Sequence, residues 1–565
     1  MSITERAYDA IIVGSGPGGS SAVQELTARG LEVLLIDAGR ELREEDFTFP
    51  KRRKKGGVGL DLFPRAGAMA RGQVTQARRP YYNPLTNRFL VNDLQDPYTH
   101  PPTHPYLWVR GKLLGGRMHS YGRVLQRMSD VDFKAASADG YGDDWPLAYA
   151  DLAPWYEKVE DAIGVYGDKD GLTHPPDGRY VGPGHLTDVE TDFKERVEAR
   201  WPERRVISWR CQANFEHGIP PGIAAAKATG RLTIRTEAEV TRIVTDDATG
   251  LATGVEFVDR TTKQAYSVRA DTVVVAASTI ESIRLLLNSG SARHPYGLGN
   301  SSGTLGRYFM DQTISIGFFE SPRHAGMSAM PENMPADPFY GVPGGILIPR
   351  YENIGDHADA SFLRGISFQG LGGRMPTPDG DPAVLGLGGA GEMLARRENA
   401  VTLSRVKDRW GMRVPHIDLT MSDNDRLLLK RSMTVLKEMG DEAGYRANFI
   451  GSAAGLESKK VWPRFNPVRR LIFKQGIKLS VVPGAAIHEC GGARMGADPA
   501  TSVVNGVNQL WDAPNVFVTD GASFVSSSTV GPALTIMALS ARAGAFIADQ
   551  HASGGLARPT EHVTY

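Results

Sequence analysis

The chain has 565 residues, with 64 Lys+Arg against 64 Asp+Glu, 41% hydrophobic residues and 23% charged ones. That is the balance of a folded protein long enough for two or more domains and a large core, and its zero net charge gives no support for a nucleic-acid or membrane-surface partner. The two cysteines, Cys211 and Cys490, are too few for a disulfide framework and lack zinc-ligand spacing, so no metal site is expected.

The N-terminus, MSITERAYDAII, lacks the basic-then-apolar pattern of a secretory leader, and no apolar run is long enough to span a bilayer. A cytoplasmic location is the expectation. Ala10-Ile11-Ile12-Val13 is an apolar run of the kind that forms a strand buried on both faces. Gly14-Ser15-Gly16-Pro17-Gly18-Gly19 follows, fitting G-x-G-x-x-G, and leads into a helical pattern with Val23 and Leu26 apolar. Gly30 breaks that pattern, and a second apolar run, Val33-Leu34-Leu35-Ile36, ends in Asp37. This order reads as a dinucleotide-binding βαβ unit. Gly14 makes the tight turn, Gly16 lets backbone approach a pyrophosphate, and Gly19 lets helix pack on strand. The helix N-terminus offers free N–H groups to phosphates, and Asp37 can accept both ribose hydroxyls. An ordinary glycine-rich turn would have to match four glycines and the acid by chance. The unit alone leaves FAD and NAD(P) both open, and Arg40 would suit a 2′-phosphate.

Residues 40 to about 105 are rich in Gly, Pro, Arg and Tyr. A connection that long is either functional (a lid, a gate or an assembly arm) or an inert surface insertion. Its basic run 51–55 reads as a solvated loop. The stretch 108–123, WVRGKLLGGRMHSYGR, packs several glycine turns together, as backbone wrapped around a ligand would. Residues 144–162 read as a turn and an amphipathic helix. From 231 the pattern turns to strands, at 232–235, 239–244, 252–258 and 266–270, an antiparallel meander. A very apolar strand at 272–277 and a helix at 280–288 follow. The parallel sheet is thus completed far from where it began, and the first domain is discontinuous. Between 311 and 480, strand-like runs at 313–319, 344–348, 400–406 and 416–420 surround one clear helix. That helix has Ser422 as N-cap and an apolar face of Leu427, Leu428, Val435, Leu436 and Met439. The tail returns to the first domain with a short strand ending at Asp520. Gly531-Pro532-Ala533-Leu534 then opens a helix through 546, with Pro532 in its first turn.

Four separated motifs then agree: the unit 14–19, the Gly115-Gly116 segment, AASTIESIRLLLNSG at 276–290, and the tail HECGGARMG…VFVTDGASF…GPALTIMALSARAG. On these the chain resembles the glucose–methanol–choline (GMC) oxidoreductase family. Within it, GGRMHSYGR, GDDWPLAYADLAPWYEKVE and HECGGARMG are most similar to bacterial pyranose oxidases and glycoside 3-oxidases, including C-glycoside 3-oxidases. Ile283 departs from the family signature, where Pro or Ser is usual. The resemblance implies FAD rather than NAD(P). It implies a discontinuous α/β FAD-binding Rossmann-like domain from 1–45, 105–145, 225–310 and 484–555. An α+β substrate-binding domain with an antiparallel sheet would come from 146–224 and 311–483. The segment 46–104 would be an insertion, lid or assembly arm through which a homo-oligomer could form.

By the same resemblance, Gly14, Ser15, Gly16, Gly18 and Gly19 hold the pyrophosphate, Asp37 the adenosine ribose, and Val240 the adenine through its backbone. Gly115, Gly116, Arg117, Met118, His119, Ser120 and Tyr121 would run along the ribityl chain and isoalloxazine, with Arg110 and Ala277 in the same set. Asp520, Gly531 and Pro532 would face the flavin's phosphate and pyrimidine ends. Alcohol oxidation needs a base for the O–H proton and an acceptor for the hydride, which the flavin N5 supplies. Imidazole suits the first role because its pKa lies near neutral. Of 13 histidines, His488 matches the family's catalytic one. The family usually places His or Asn before the proline of the last helix. Gly531 stands there, so His488 would act with a partner from the substrate domain or with water. Some sugar and choline oxidases tether FAD to a histidine four residues after the second glycine. That position is Ser120, one past His119, so non-covalent FAD is expected. Cys490 reads as a buried, inert thiol, and His100, His104 and His119 as lining or structural. The aromatic stretch 78–108 either stacks on a sugar or packs.

The implied activity is FAD-dependent oxidation of a secondary hydroxyl of a sugar or glycoside, C3 of a glucoside, with O₂ reduced to H₂O₂. The alternatives are a dehydrogenase passing electrons to a quinone or carrier protein, and a non-redox flavoprotein lyase. The expected partners are the sugar or glycoside and O₂ or another acceptor, with neither nucleic acid nor membrane.

Overall fold

A computed structural model of the chain describes residues 6–48, 62–212, 217–325, 339–340, 344–355, 357–359, 361–374, 380–457 and 466–556. The basic run 51–55 lies outside them. The first apolar run forms β1 (Tyr8–Val13), followed by α1 (Pro17–Ala28) and β2 (Val33–Ile36). The strands pair in parallel, Ala10 opposite Val33 and Val13 opposite Ile36. β3 (Leu232–Arg235) adds to the outer edge of β2, also in parallel. Parallel strands need crossover connections over their faces, so both faces become covered. Ile11, Ile12, Leu34 and Leu35 accordingly expose no surface.

The meander is β4 (Ala238–Thr245), β5 (Ala252–Asp259) and β6 (Ala265–Val275). The sequence reads two strands at 266–270 and 272–277, whereas the structure has one continuous strand. Its first half pairs antiparallel with β5, Val268 opposite Val255, and its second half pairs in parallel with β1, Val273 opposite Ile11. The first half is half-solvated and the second fully buried, so composition changes midway and mimics a break. α2 (Thr279–Asn288) follows.

A second sheet is built from β7 (Gln312–Ser321), β8 (Ile346–Ile348), β9 (Ile366–Gly372), β10 (Ala383–Glu392) and β11 (Arg446–Ser452). The order is β11-β7-β10-β9-β8, antiparallel throughout, with two-residue strands at each edge. α3 (Asp423–Glu442) covers one face, its Leu428, Leu436 and Met439 packing with Phe319, Phe368 and Leu385. Ser422 caps it, the hydroxyl accepting from the Asp425 N–H at 3.1 Å. Leu427 is 41% exposed and lies off the buried face. The runs 400–406 and 416–420 do not join this sheet. They form a separate two-stranded ribbon, pinned to α2 by Arg284, which bonds Asp408 and the Arg413 carbonyl.

The tail supplies β12 (Val516–Val518), parallel to β6, and α4 (Ala533–Ser553), which runs beyond the expected end at 546. α4 packs along α1, where the Ser540 hydroxyl donates to the Gly18 carbonyl at 2.7 Å. The segment after β2 is not structureless. It carries helices Leu62–Ala70 and Val74–Arg78, and Gln76 ties it to the 108–110 stretch by donating to the Trp108 carbonyl and accepting from the Arg110 N–H. Among the described residues no helix is long and apolar enough to cross a membrane.

Candidate active site

A cavity of about 780 Å³ lies between the loops at the ends of the parallel strands and one face of the second sheet. The glycines of its first loop divide into two kinds. A Cβ on Gly19 would stand 1.9 Å from the Gly14 carbonyl oxygen, and one on Gly14, at φ +95°, 2.4 Å from the Ala276 carbonyl oxygen. Packing demands both. Gly16 has φ −64° and ψ −165°, ordinary for any residue, and no atom of the described residues lies within 4 Å of its missing Cβ. Packing does not ask for glycine there, whereas a ligand pressed against the loop does. The Cβ site of Gly116, from the second glycine pair, is 3.4 Å from the Gly16 Cα, so two bare backbones face each other. With the α1 N-terminus beside them, the residues present fit a dinucleotide pyrophosphate.

Two buried carboxylates brace the loops. Asp37 accepts from the Ser15 N–H at 2.9 Å, the Ser15 hydroxyl and the Gly39 N–H at 2.6 Å. Ser15 Oγ in turn accepts from the Gly115 N–H at 2.7 Å. Burial pushes the Asp37 pKa up, against these hydrogen bonds. A carboxylate has about four lone-pair sites and three are taken, so capacity remains for one ribose hydroxyl. Asp520 repeats the device: it accepts from the Ser282 hydroxyl and the Ala522 N–H at 2.9 Å, and Ser282 Oγ accepts from the Ala277 N–H at 3.1 Å. Burial raises Asp520 to about 6.

Gly14, Ser15, Gly16, Gly18, Asp37, Arg110, Gly116, Arg117, Met118, Ser120, Tyr121, Val240, Ala277, His488, Asp520, Gly531 and Pro532 all line the cavity. Gly19, Gly115 and His119 stand behind its wall. His119 is buried between Phe47 and Phe89, its Nε2 bonded to the Leu114 carbonyl at 2.9 Å, and burial lowers its pKa to about 4. Cys490 is buried, which raises its thiol pKa far above the usual range.

At the opposite wall, His488 Nδ1 lies 2.6 Å from Gln312 Oε1 at the start of β7. The Gln312 amide nitrogen donates to the carbonyls of Ser528 and Val530, each at 2.9 Å, and to Ser527 at 3.3 Å. Carbonyls only accept, so the amide cannot be turned over, and Oε1 must face the imidazole. Nδ1 therefore carries the proton, and Nε2 presents its lone pair to the cavity. The ring's height is fixed by Asp311, which accepts from the His488 N–H at 3.0 Å. Burial, reinforced by the Arg117 charge, lowers the His488 pKa to about 4. Burial and the neighbouring Glu489 carboxylate hold Asp311 well above the carboxylate range. The missing Cβ of Gly531 lies 3.7 Å from His488 Nε2, so the space where a second polar side chain would approach the base is open.

Sequence reasoning missed Asp311 and Gln312, whose only signal is a polar pair leading into the apolar run 313–319. It also missed Lys112, which donates to Glu239 at 2.8 Å, pairs with Asp96 at 2.9 Å, and pins the 108–123 stretch beside Val240. Arg79, Tyr81 and Asn83, from the segment after β2, form part of the cavity wall.

Two outcomes are expected. Gly16→Val should leave apoprotein stability within about 0.5 kcal/mol while weakening FAD binding by at least roughly tenfold. Gly19→Val should cost about 1–3 kcal/mol of stability as well; urea unfolding and flavin-release titration read the two. Gln312→Leu should lower substrate-driven flavin reduction about ten- to hundredfold at unchanged FAD content, because nothing then holds the proton on Nδ1. Stopped-flow reduction checks this.

Comparison with known proteins agrees with this geometry. Two family models, both described as GMC oxidoreductase, match residues 222–314 and 395–540. Paromamine 6′-oxidase of Streptomyces fradiae is 27% identical, over 99% of this chain and 94% of that protein. 2-Methyl-1,2-propanediol dehydrogenase of Mycolicibacterium austroafricanum is 26% identical, over 97% and 96%. C-glycoside 3-oxidase of Microbacterium trichothecenolyticum is 28% identical over 56% of this chain and 54% of its own length. In fold, the chain is similar to pyridoxine 4-oxidase from Mesorbium loti (TM-score 0.60, 20% identity, 96% of this chain and 99% of that one). It is likewise similar to the FAD enzyme formate oxidase from Aspergillus oryzae (TM-score 0.64, 14% identity, 97% and 99%). FAD is the cofactor that the fold and these residues support. With one model on the meander and α2 and the other reaching α4, the chain belongs to the GMC oxidoreductases, enzymes acting on alcohol or sugar hydroxyl groups.

Proposed function

We propose that this chain oxidises a secondary hydroxyl of a sugar or glycoside, C3 of a glucoside, to the ketone, with non-covalent FAD and O₂ as the final acceptor. The observation that carries the reading is the His488–Gln312 pair, a base with a fixed tautomer at the wall shared by the tail and the second sheet. His488 Nε2 takes the hydroxyl proton. A low imidazole pKa keeps that nitrogen free at neutral pH. FAD, when bound, supplies the two-electron acceptor for the carbinol hydrogen. Arg117, bonded to Glu489 at 2.8 Å, places a positive charge beside the base and opposes its protonation. Gly531 leaves room at Nε2 for a ring carbon bearing two substituents. The division into a cofactor domain (1–45, 105–145, 225–310, 484–555), a segment 46–104 and a substrate domain (146–224, 311–483) is part of this reading, as are the cofactor contacts assigned above. His119 favours non-covalent FAD, since its Nε2 is committed to the Leu114 carbonyl behind the wall. A dehydrogenase using another acceptor is the second reading, favoured by the likeness to 2-methyl-1,2-propanediol dehydrogenase. Oxygen consumption against dye reduction separates the two.

His488→Ala should slow flavin reduction by about 10²- to 10⁴-fold with FAD still bound, and an unchanged rate would refute the role. The base works only when unprotonated, so activity should be full above and lost as pH falls through about 4, well below the ordinary imidazole value of 6.5; a pH profile of flavin reduction checks this. Acid precipitation should leave a colourless pellet and a yellow supernatant, the opposite of what a covalent flavin gives.

A further inference from the structure

The cavity face of the second sheet has a bare central strand. Along β10 the alternate residues Gly386, Gly388 and Ala390 are the partly exposed ones, whereas Leu385 and Leu387 point to the core under α3. Register places Phe318, Ile316 and Ile314 of β7 beside them on one side and Leu371 and Gln369 of β9 beside Gly386 and Gly388 on the other. Directly paired residues share a face, so these side chains stand up around a strand that has almost none. The result is a trough. It starts at Gln312, the residue that holds His488, and runs six residues to Phe318, about 20 Å at strand spacing. That is longer than a single sugar ring requires. Among the paired residues the walls are apolar except for Gln369 and, beside Ala390, Ser367, whose hydroxyl is committed to the Thr529 carbonyl at 2.6 Å. Beyond β9, Trp209 lines the same cavity with a buried indole N–H that has no hydrogen-bond partner among the described residues. Tyr81 reaches in from above, its hydroxyl 2.9 Å from where a Gly388 Cβ would stand.

From this geometry we infer that the β10 trough is the subsite for an apolar or aromatic substituent attached to the ring being oxidised, and that Gly388 is the residue that keeps it open. The inference rests on the oxidation of a ring hydroxyl at His488 and deepens it. The substrate lies along β10 with its reacting carbon at His488 Nε2 and its aglycone between Ile316 and Gln369. Tyr81 closes over it from the segment after β2. Strand geometry does not require glycine at 388: its φ is not positive, β-branched residues suit strands, and the tightest neighbour of a new Cβ is the movable end of Tyr81. Glycine there is explained by an occupant.

The test is calorimetric binding to the FAD-loaded enzyme of two pairs, phenyl against methyl β-glucoside and 4-phenylcyclohexanol against cyclohexanol. The wild type should bind the phenyl member at least about tenfold more tightly in the pair it accepts. Gly388→Val should erase that preference while holding the short member's Kd within about threefold, with FAD absorbance and Tm retained. Tyr81→Ala, a second variant, should keep the preference and speed phenyl-substrate exchange. Equal weakening of both members by Gly388→Val, or a wild type that prefers neither phenyl compound, overturns the subsite. Binding and flavin bleaching confined to the cyclohexanols would instead overturn the sugar reading, and the trough is then judged on that pair.

Discussion

Ser15 is the joint on which the cofactor half turns. It sits in the loop after β1, gives its N–H and hydroxyl to Asp37 at the end of β2, and takes the Gly115 N–H into its own oxygen. One side chain thus ties three segments far apart in sequence. A buried carboxylate is tolerated only if hydrogen-bond donors replace its lost hydration, and leaving a buried polar group without a partner costs about 1–3 kcal/mol or more. The arrangement therefore holds the loop rigid for the same reason that it is permitted. Asp520, Ser282 and the Ala277 N–H repeat it at the end of β12. Between these braces lies the crevice beyond the carboxyl ends of the parallel strands, where open α/β sheets bind their ligands.

The second sheet supplies what the first cannot. Gln312 crosses from β7 to the tail and converts three backbone carbonyls into a fixed imidazole tautomer. The imidazole proposed as base and the amide that orients it come from different parts of the chain, so neither half alone holds the pair. Glycine serves two ends here. At Gly14 and Gly19 it relieves crowding inside the protein, at Gly16 it leaves space that no described protein atom fills, and at Gly388 only the movable Tyr81 hydroxyl stands close to the missing Cβ.

Much of this was legible in the residues. The apolar runs 10–13 and 33–36, the glycines between them and Asp37 announced a parallel unit, because burial on both faces forces continuous apolar composition. Ser422 announced α3 through its cap. The position of His488 came from family likeness, and the cavity holds it. The orienting partner was not legible, because Gln312 is an ordinary polar residue whose meaning comes from three carbonyls more than two hundred residues away. Nor was the role of Arg79 and Tyr81, since nothing local in a Pro- and Gly-rich stretch says which wall it will form.

The sequence by itself determined the element types and the discontinuous first domain, because strand periodicity and capping are local properties of residue type and spacing; the class of cofactor and reaction came from the likeness of its motifs to a family. It could not determine which glycines answer to packing and which to a ligand, that 265–275 is one strand serving two kinds of pairing, or which ring nitrogen of His488 faces the cavity. Those depend on what stands across a gap from each residue, and only the tertiary structure brings the two sides of the gap together.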